Sequence, residues 1–260
     1  MSHPKRTALI TGASAGLGVE FAEQLGALGH DLVLVARRKE KLEEVAATLS
    51  DRHGVQVHTA SADLSRAEAP AELADWANEK GLVVDYLINN AGSAGPHLFE
   101  EEEWAPQAAF LELMMTSIPH MCHHFVPAMK ERGFGRVLNV SSFAGRIARD
   151  AGGHYGPAKA YVVALSEELA LMLDGTGVRV SALCPGFTHT DFHEVAGLAD
   201  MKSKLPDFLW YDAETVVSEG LNALESGRPI HVSGRIYRWL DPLAQSVLFR
   251  PLLKSGTPKR

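Results

Sequence analysis

The stretch TALITGASAGLG, residues 7–18, decides the fold because it joins a predicted strand to a predicted helix through a glycine-rich turn. Thr7 to Thr11 is an apolar run typical of a buried strand, and a helical pattern runs from Leu17 to Leu28. Glycines at such a turn let backbone N–H groups approach a pyrophosphate, and the helix N-terminus adds partial positive charge. A glycine cluster alone is a weak signal, but its position directly after the first strand strengthens it.

The same alternation of strand and helix patterns continues along the chain. Further strands are predicted at Asp31 to Ala36, Val55 to Ala60, Val84 to Ile88, Arg136 to Val140 and Val178 to Leu183, and helices at Lys39 to Leu49, about Glu101 to Glu131 and about His154 to Asp174. The last strand is almost continuously apolar, which is typical of a parallel sheet covered on both faces. We therefore expect an α/β fold with right-handed crossovers: a single doubly wound Rossmann-type domain over residues 1–260, its parallel sheet flanked by helices on both faces.

Length, charge and cysteine content narrow the class of protein. A chain of 260 residues fits one large domain better than two small ones. The formal net charge of −7 argues against a general attraction to nucleic acid or to an anionic membrane. Cys122 and Cys184 are the only cysteines, and both lie in apolar stretches, which favours a reducing, cytoplasmic setting over a disulfide framework. No signal peptide is visible, and no run of about 18 apolar residues could span a membrane.

Two segments depart from the alternating pattern. Residues 187–211 have mixed polarity and follow the end of a strand, which favours a substrate lid over a tolerated surface insertion. The tail from Tyr237 to Leu253 combines aromatic and aliphatic residues with arginines. It could form a surface helix, an oligomer contact or a membrane-surface helix. The first two are favoured because Pro242 and Pro251 interrupt the amphipathic pattern.

The residues at the end of the second strand predict which cofactor binds. A carboxylate there would accept hydrogen bonds from the adenosine ribose hydroxyls. This chain instead has Ala36 followed by Arg37 and Arg38, and an arginine fork can bind a 2′-phosphate. The alternative is a solvated basic turn that opens a helix. We expect Arg37, and less strongly Arg38, to select NADP(H).

Two further strand ends carry residues suited to a cofactor wall. Asp63 and Leu64 follow the third strand, where the carboxylate could receive the adenine amino group. The run Asn89-Asn90-Ala91-Gly92 follows the fourth strand. Its small residues would let the backbone lie against a cofactor, and its amides could tie adjacent strands together. The alternative is an ordinary asparagine-glycine turn.

Tyr155 and Lys159 are the candidate chemical centre. On a helix, positions i and i+4 share one face. A free tyrosine has a pKa of about 10, and a nearby lysine cation lowers that pKa toward the working range of a general acid or base. Ser142 follows a predicted strand, and its hydroxyl could polarise a substrate carbonyl. A tyrosine–lysine pair alone is a weak signal, since many surface helices contain one.

Taken together, these motifs resemble those of the short-chain dehydrogenase/reductase family. The resemblance covers nearly the whole chain and rests on Thr11-Gly12-xxx-Gly16-x-Gly18, Asp63, Asn89-Asn90-Ala91-Gly92, Ser142, Tyr155-xxx-Lys159 and Pro185-Gly186. It implies hydride transfer between a nicotinamide and a carbonyl or alcohol. In that scheme Tyr155 exchanges the proton, Lys159 tunes Tyr155 and holds the ribose, and Ser142 orients the substrate. The family resemblance also implies a homodimer or homotetramer, with contacts through the fourth and fifth helices.

The resemblance extends the set of expected cofactor contacts. Pro185, Gly186 and Thr188 would flank the nicotinamide, and Thr188 or Thr190 would bind its carboxamide or the phosphates. The expected cofactor-binding residues are Gly12, Ser14, Ala15, Gly16, Leu17, Gly18, Arg37, Arg38, Asp63, Leu64, Asn90, Ala91, Gly92, Tyr155, Lys159, Pro185, Gly186, Thr188 and Thr190.

Met114 is the main departure from the family pattern. Many members have an asparagine at this place that helps to hold a water in the proton relay, and a thioether is only a weak acceptor. The relay could run through Thr116, Ser117 or backbone-bound water. A second hypothesis is therefore an NADP(H)-binding sensor or regulatory protein with weak or no turnover. A third, suggested only by the tail, is a structural or assembly subunit.

Substrate and metal contacts are less clearly predicted. An apolar substrate pocket could be lined by Phe143, His154, Phe187, Phe192 and Trp210. The group His120, His123 and His124 on one predicted helix could in principle present imidazoles to a metal. Packing at a helix or subunit surface is the favoured reading, and we expect no metal.

Overall fold

Seven strands form one parallel sheet in the computed structural model, which describes residues 5–148, 153–190 and 206–248. The strands are β1 Thr7–Thr11, β2 Asp31–Ala36, β3 Val57–Ser61, β4 Tyr86–Asn89, β5 Gly135–Val140, β6 Val178–Cys184 and, after two short strands described below, β9 Ile230–Val232. They are arranged in the order β3-β2-β1-β4-β5-β6-β9. The order reverses between β1 and β4, which in a doubly wound sheet is where ligands bind.

Helices cover both faces of this sheet. The helices are α1 Gly16–Ala27, α2 Lys39–His53, α3 Ala69–Glu79, α4 Ala105–Leu111, α5 Ser117–Glu131, α6 Tyr155–Met172, α7 Ala213–Glu225 and α8 Arg235–Gln245. One apolar cluster joins the sheet to α1, α2 and α7. A second cluster joins the other face to α3 and α5. The predicted α/β, doubly wound fold is confirmed.

The long helix predicted from Glu101 to Glu131 is wrong in its details. The structure begins the helix at Ala105 and interrupts it with a π-helix over Glu112–Thr116. The acidic residues Glu101 to Glu103, which the predicted helix included, are exposed and lie before its first turn. A π-turn depends on i→i+5 hydrogen bonds and on packing, so an ordinary apolar pattern does not reveal it.

Near the end of the chain the structure shows a helix in the tail, one of the favoured interpretations, and two short strands that the sequence did not predict. The tail forms helix α8 straight through Pro242, because Tyr237 and Ala244 are buried and offset the hydrogen bond that proline removes. Two short strands, β7 Phe187–His189 and β8 Trp210–Asp212, pair in parallel as a separate small sheet. Most of the predicted lid, residues 191–205, lies outside the described residues.

Two simpler expectations concern cysteines and membrane spans. Cys122 and Cys184 are both free and buried. Within residues 5–148, 153–190 and 206–248, no helix combines the length and apolar character needed to cross a membrane.

Candidate active site

The glycine turn between β1 and α1 is built for close backbone approach. Gly12 and Gly16 have φ values of +69° and +54°, a left-handed conformation that favours glycine. A Cβ added to Gly18 would lie 2.2 Å from the carbonyl oxygen of Gly12, so α1 packs directly on the turn. Ala15 precedes α1 and supplies no side-chain cap. The first-turn N–H groups of α1 are therefore suited to bind an anion.

The ends of β1 and β4 are tied together at the point where the strand order reverses. The Thr11 hydroxyl accepts hydrogen bonds from the backbone N–H groups of Asn90 (2.9 Å) and Ala91 (3.0 Å). The Asn90 side-chain amide donates to the carbonyl oxygen of Thr11 at 2.9 Å. One residue earlier, the Asn89 amide donates to Asn139 on β5 at 2.8 Å. These bonds bear out the expectation that the asparagines tie adjacent strands together.

The two arginines after β2 have different surroundings. Arg38 donates from Nη2 to the Ser14 hydroxyl at 3.1 Å, which places its guanidinium beside the glycine turn. Arg37 is exposed, and its carbonyl oxygen accepts a hydrogen bond from Ser61 on β3. The structure thus places Arg38 on the glycine turn and leaves Arg37 exposed at the end of β2.

Asp63, which follows β3, lies near Arg37. Its carboxylate accepts hydrogen bonds from the backbone N–H (3.1 Å) and the hydroxyl (2.7 Å) of Ser65. Burial alone would raise the pKa of Asp63, but these hydrogen bonds and the positive charges of Arg37 and Arg66 hold it below its usual value. Asp63 is therefore a fixed acceptor, and Leu64 beside it is buried in the core.

Tyr155 and Lys159 occupy the first turn of α6. The Lys159 ammonium lies 5.8 Å from the centroid of the Tyr155 ring and donates to the carbonyl oxygen of Val140 at 2.8 Å. Burial lowers the pKa of Lys159 to about 8. The lysine charge is thus held in a low-dielectric pocket, where its influence on a neighbouring phenol is strong.

Ser142 is positioned by a short 3-10 turn, Phe143–Gly145, that packs on the start of α6. The Ser142 hydroxyl accepts a hydrogen bond from the N–H of Ala144 at 3.1 Å. A Cβ added to Gly145 would lie 2.6 Å from the carbonyl carbon of Lys159. The preceding Ser141 donates to the carbonyl oxygen of Lys159 at 2.7 Å. Residues 142–145, which we call the serine turn, and the first turn of α6, which carries Tyr155 and Lys159, therefore form one packed unit.

Met114 faces this unit from the π-helix. It is fully buried, and its sulfur accepts a hydrogen bond from the N–H of Ser93 at 3.4 Å. A Cβ added to Gly92 would lie 3.2 Å from the Met114 sulfur and 3.8 Å from the Lys159 nitrogen. Gly92, Met114 and Lys159 consequently meet at one point on the wall of the site.

The turn after β6 completes the same edge of the sheet. Pro185 accepts a hydrogen bond from the N–H of Phe143 at 2.8 Å, and Thr188 donates to the carbonyl oxygen of Gly186 at 3.2 Å. Thr190 reaches the glycine turn, because a Cβ added to Gly16 would lie 3.4 Å from the Thr190 Cβ. The turn after β6 and the glycine turn after β1, both predicted to contact the cofactor, therefore lie next to each other.

The predicted substrate residues fall into three groups. Phe187 and Trp210 are neighbours on the small sheet, with ring centroids 5.2 Å apart. His154 meets Trp104 edge-to-face at 6.2 Å, a contact that sequence reasoning missed because the two residues are far apart in the chain. Phe143 packs into a core cluster, 5.0 Å from the Tyr237 ring. Phe192 lies outside the described residues.

The three histidines of α5 form a cluster in which the rings of His120 and His123 both contact that of His124. His124 lies 4.9 Å from His120 and 5.3 Å from His123, measured between ring centroids. Burial, followed by the charges of these two neighbours, lowers the pKa of His124. In the part of the chain that the structure describes, no group of three or more histidine, cysteine or acidic side chains is arranged to hold a metal. The contacts that the structure shows for these imidazoles are contacts with one another.

Known proteins resemble this chain in sequence and in structure. Residues 6–199 match the family described as short chain dehydrogenase. Sulfoacetaldehyde reductase 2 of Chromohalobacter salexigens is 32% identical over 230 residues, which are 86% of this chain and 90% of that protein. The NADP-dependent 3-hydroxy acid dehydrogenase of Escherichia coli is 32% identical over 197 residues, 72% of this chain and 75% of that protein.

A solved structure agrees over almost the full length. The short-chain dehydrogenase from Sphingobium yanoikuyae in complex with NADPH superposes with a TM-score of 0.80 at 32% identity, covering 98% of this chain and 97% of that one. The parallel sheet, the glycine turn at its reversal point and these matches lead to one conclusion. This chain belongs to the short chain dehydrogenase family and is an oxidoreductase that acts on CH–OH or C=O groups.

Proposed function

We propose that this protein is an NADP(H)-dependent carbonyl reductase or alcohol dehydrogenase in which Tyr155 is the acid/base. The observation that carries the proposal is the packed unit of Ser142, Tyr155 and Lys159. In it a buried lysine lies beside the tyrosine, and the serine turn rests on the same turn of α6. Ser142 follows β5 at the carboxyl edge of the sheet, the same edge at which the glycine turn follows β1.

The chain's own residues fit NADP(H). The left-handed glycines and the uncapped start of α1 suit a pyrophosphate. Arg38, which is hydrogen-bonded to the glycine turn, and the exposed Arg37 suit a 2′-phosphate, because guanidinium groups bind phosphate in a bidentate manner. The Sphingobium relative was solved with NADPH, and the Escherichia coli relative is named as NADP-dependent, which supports the same preference here. When bound, the nicotinamide supplies or accepts the hydride.

Proton transfer follows from the positions of three side chains. Ser142 and Tyr155 would hydrogen-bond the substrate oxygen and orient the carbonyl. As the carbonyl carbon gains hydride, Tyr155 donates its phenolic proton to the oxygen, which gives the alcohol and a phenolate. In the reverse direction the phenolate takes the proton from the alcohol. The Lys159 cation stabilises the phenolate in both directions, because opposite charges attract strongly in a buried site.

After proton transfer, Tyr155 must recover its phenolic proton. At position 114, where many family members have an asparagine, this chain has Met114, so no side-chain amide there can hold the relay water. Pro119 has no N–H to donate to the carbonyl oxygen four residues earlier, that of Met115. In the π-helix that precedes α5, backbone hydrogen bonds run from i to i+5, so its carbonyl oxygens do not have their usual α-helical partners. We propose that a backbone carbonyl of this region, rather than a side chain, holds the relay water.

A second candidate is an NADP(H)-binding sensor with weak or no turnover. Met114 is the observation in its favour, since its thioether accepts the Ser93 N–H and has no proton to donate. The intact unit of Ser142, Tyr155 and Lys159 argues against it. The two candidates differ in one measurable respect, which is turnover once the cofactor is bound.

We also propose a substrate class, an assembly and a location for this protein. The aromatic pair Phe187 and Trp210, with His154, favours a small lipophilic carbonyl or alcohol. A homodimer or homotetramer would cover Leu171 and Met172, which are exposed at the end of α6. Free buried cysteines suit the reducing cytoplasm.

The test removes one hydroxyl from the acid/base. Tyr155→Phe keeps the ring, so we expect near-normal NADPH affinity and a loss of turnover of at least about a hundredfold, the usual range for a general acid. The matched control is Tyr161→Phe on the outer surface of the same helix, which should retain wild-type turnover. Turnover is measured on any carbonyl that the wild type reduces, and NADPH binding by fluorescence titration. A Tyr155→Phe enzyme as active as Tyr161→Phe would reject Tyr155 as the acid/base.

A further inference from the structure

Tyr237 links the C-terminal helix α8 to the small sheet beside the active site. It is 5% exposed, so its hydroxyl is available mainly to the protein. That hydroxyl accepts a hydrogen bond from the N–H of Phe187 at 3.3 Å and donates one to the carbonyl oxygen of Leu209 at 2.9 Å. Phe187 begins β7, and Leu209 immediately precedes β8. The Tyr237 side chain therefore links the first residue of β7 to the residue that precedes β8.

The ring of Tyr237 makes a second connection. It lies against Gly186, where an added Cβ would come within 2.0 Å of a ring carbon. It also packs 5.0 Å from the ring of Phe143, the residue after Ser142. The turn after β6, the serine turn and the small sheet all touch this one tyrosine.

Helix α8 is itself held at two points, so Tyr237 has a defined position. Arg146, just beyond the serine turn, makes a bidentate ion pair with Asp241, with both N···O distances 2.8 Å. Arg238 pairs with Glu219 on α7 at 2.8 and 3.1 Å. Bidentate arginine–carboxylate pairs fix orientation as well as distance. These two contacts hold the helix that carries Tyr237 against the serine turn and against α7.

We infer that Tyr237 is a positioning residue for the reaction. It holds the aromatic pair of Phe187 and Trp210 in place against the Gly186 turn, and thereby sets the substrate wall relative to the nicotinamide end of the site. The inference rests on the proposed function for its kinetic consequence. Its structural part, the tie between α8 and the small sheet, stands on the contacts alone.

Tyr237→Phe is the variant that isolates the hydroxyl. The ring still covers Gly186, so NADPH affinity should stay within about twofold of wild type. Loss of the bonds to Phe187 and Leu209 should raise the KM of the carbonyl about three- to tenfold, the effect of one or two neutral hydrogen bonds. The kcat should change by less than about twofold, because contacts from the wall bind substrate and transition state alike.

Two further variants separate positioning from general stability. Tyr86→Phe is the matched control, since the Tyr86 hydroxyl also donates one hydrogen bond, to Glu225 at 2.7 Å, but does so at the opposite edge of the sheet. It should lower Tm without changing the KM of the carbonyl. Asp241→Asn weakens the tie to Arg146 without touching Tyr237. It should raise the same KM as Tyr237→Phe does.

Hydrogen exchange gives a readout that does not need turnover. Exchange of the amides in β7 and β8 should become faster in Tyr237→Phe than in wild type, and should be unchanged in Tyr86→Phe. If the wild type proves inactive, the proposed function fails while faster exchange still supports the structural tie. Unchanged exchange in Tyr237→Phe would overturn the inference. So would an active, folded Tyr237→Phe with a KM within twofold of wild type, or an equal rise in KM in Tyr86→Phe.

Discussion

At the scale of single residues, Arg37 and Arg38 illustrate how neighbours in sequence can have different roles. Arg38 is held on the glycine turn by Ser14, whereas Arg37 is exposed and contributes positive charge near Asp63. The absence of a carboxylate at the end of β2 predicts both as phosphate ligands. It ranked Arg37 first, but it could not show that Arg38 is the one already hydrogen-bonded to the turn.

Arg37→Ala tests the proposed 2′-phosphate contact. A hydrogen bond to a charged group contributes about 1.5–3 kcal/mol, so NADPH affinity should fall by roughly one to two decades. NADH lacks the 2′-phosphate and should lose little. The matched control is Lys39→Ala, since Lys39 is an exposed cation paired with Glu43 and should affect both cofactors only slightly. Fluorescence titration of both cofactors gives the answer, and equal losses for NADPH and NADH in Arg37→Ala would contradict the assignment.

At the scale of secondary-structure elements, the π-helix explains how Met114 fits where the family pattern has an asparagine. The five-residue π-helix brings the Met114 sulfur to the Ser93 N–H and to the wall near Lys159. The sequence alone indicates Met114 as a departure from the family pattern. It could not predict the π-helix, because that geometry depends on contacts with Gly92 and Ser93 rather than on hydrophobic periodicity.

The element-scale prediction is that Met114 stabilises the fold without taking part in the chemistry. Met114 is fully buried, so Met114→Ala should lower the free energy of unfolding by about 2–5 kcal/mol. Met114→Leu nearly conserves volume and should cost less than about 1.5 kcal/mol. Turnover per folded active site should stay close to wild type in both. A well-folded Met114→Ala enzyme that binds NADPH normally and loses turnover a hundredfold would contradict the packing role.

At the scale of the whole molecule, the site is assembled from chain segments that meet only at the carboxyl edge of the sheet. The order of motifs along the sequence was enough to predict that Gly12, Asn90, Ser142 and Tyr155 would come to this edge, because parallel strands all end there. Each of these motifs follows a strand or opens a helix with a clear apolar pattern.

Other contacts could not be predicted because they depend on how late elements return to the sheet. Tyr237 reaches the Gly186 turn only because α8 packs back through Arg146 and Arg238. Trp104, which directly precedes α4, meets His154, which directly precedes α6, although the two residues are 50 positions apart in the chain. Neither contact is indicated by hydrophobic periodicity or by the spacing of a sequence motif. The sequence therefore predicts the chemical groups more fully than it predicts the elements that hold them in place.

The most direct test of the central claim follows the hydride itself. Wild-type protein is incubated with NADPH that carries deuterium at both positions of the reactive nicotinamide carbon, and with a panel of aldehydes and ketones, and the products are analysed by mass spectrometry. The proposal predicts at least one alcohol product with a single deuterium on the carbinol carbon, formed by the wild type and not by Tyr155→Phe. NADPH binding without any deuterated alcohol across the panel would contradict it and would favour the sensor hypothesis.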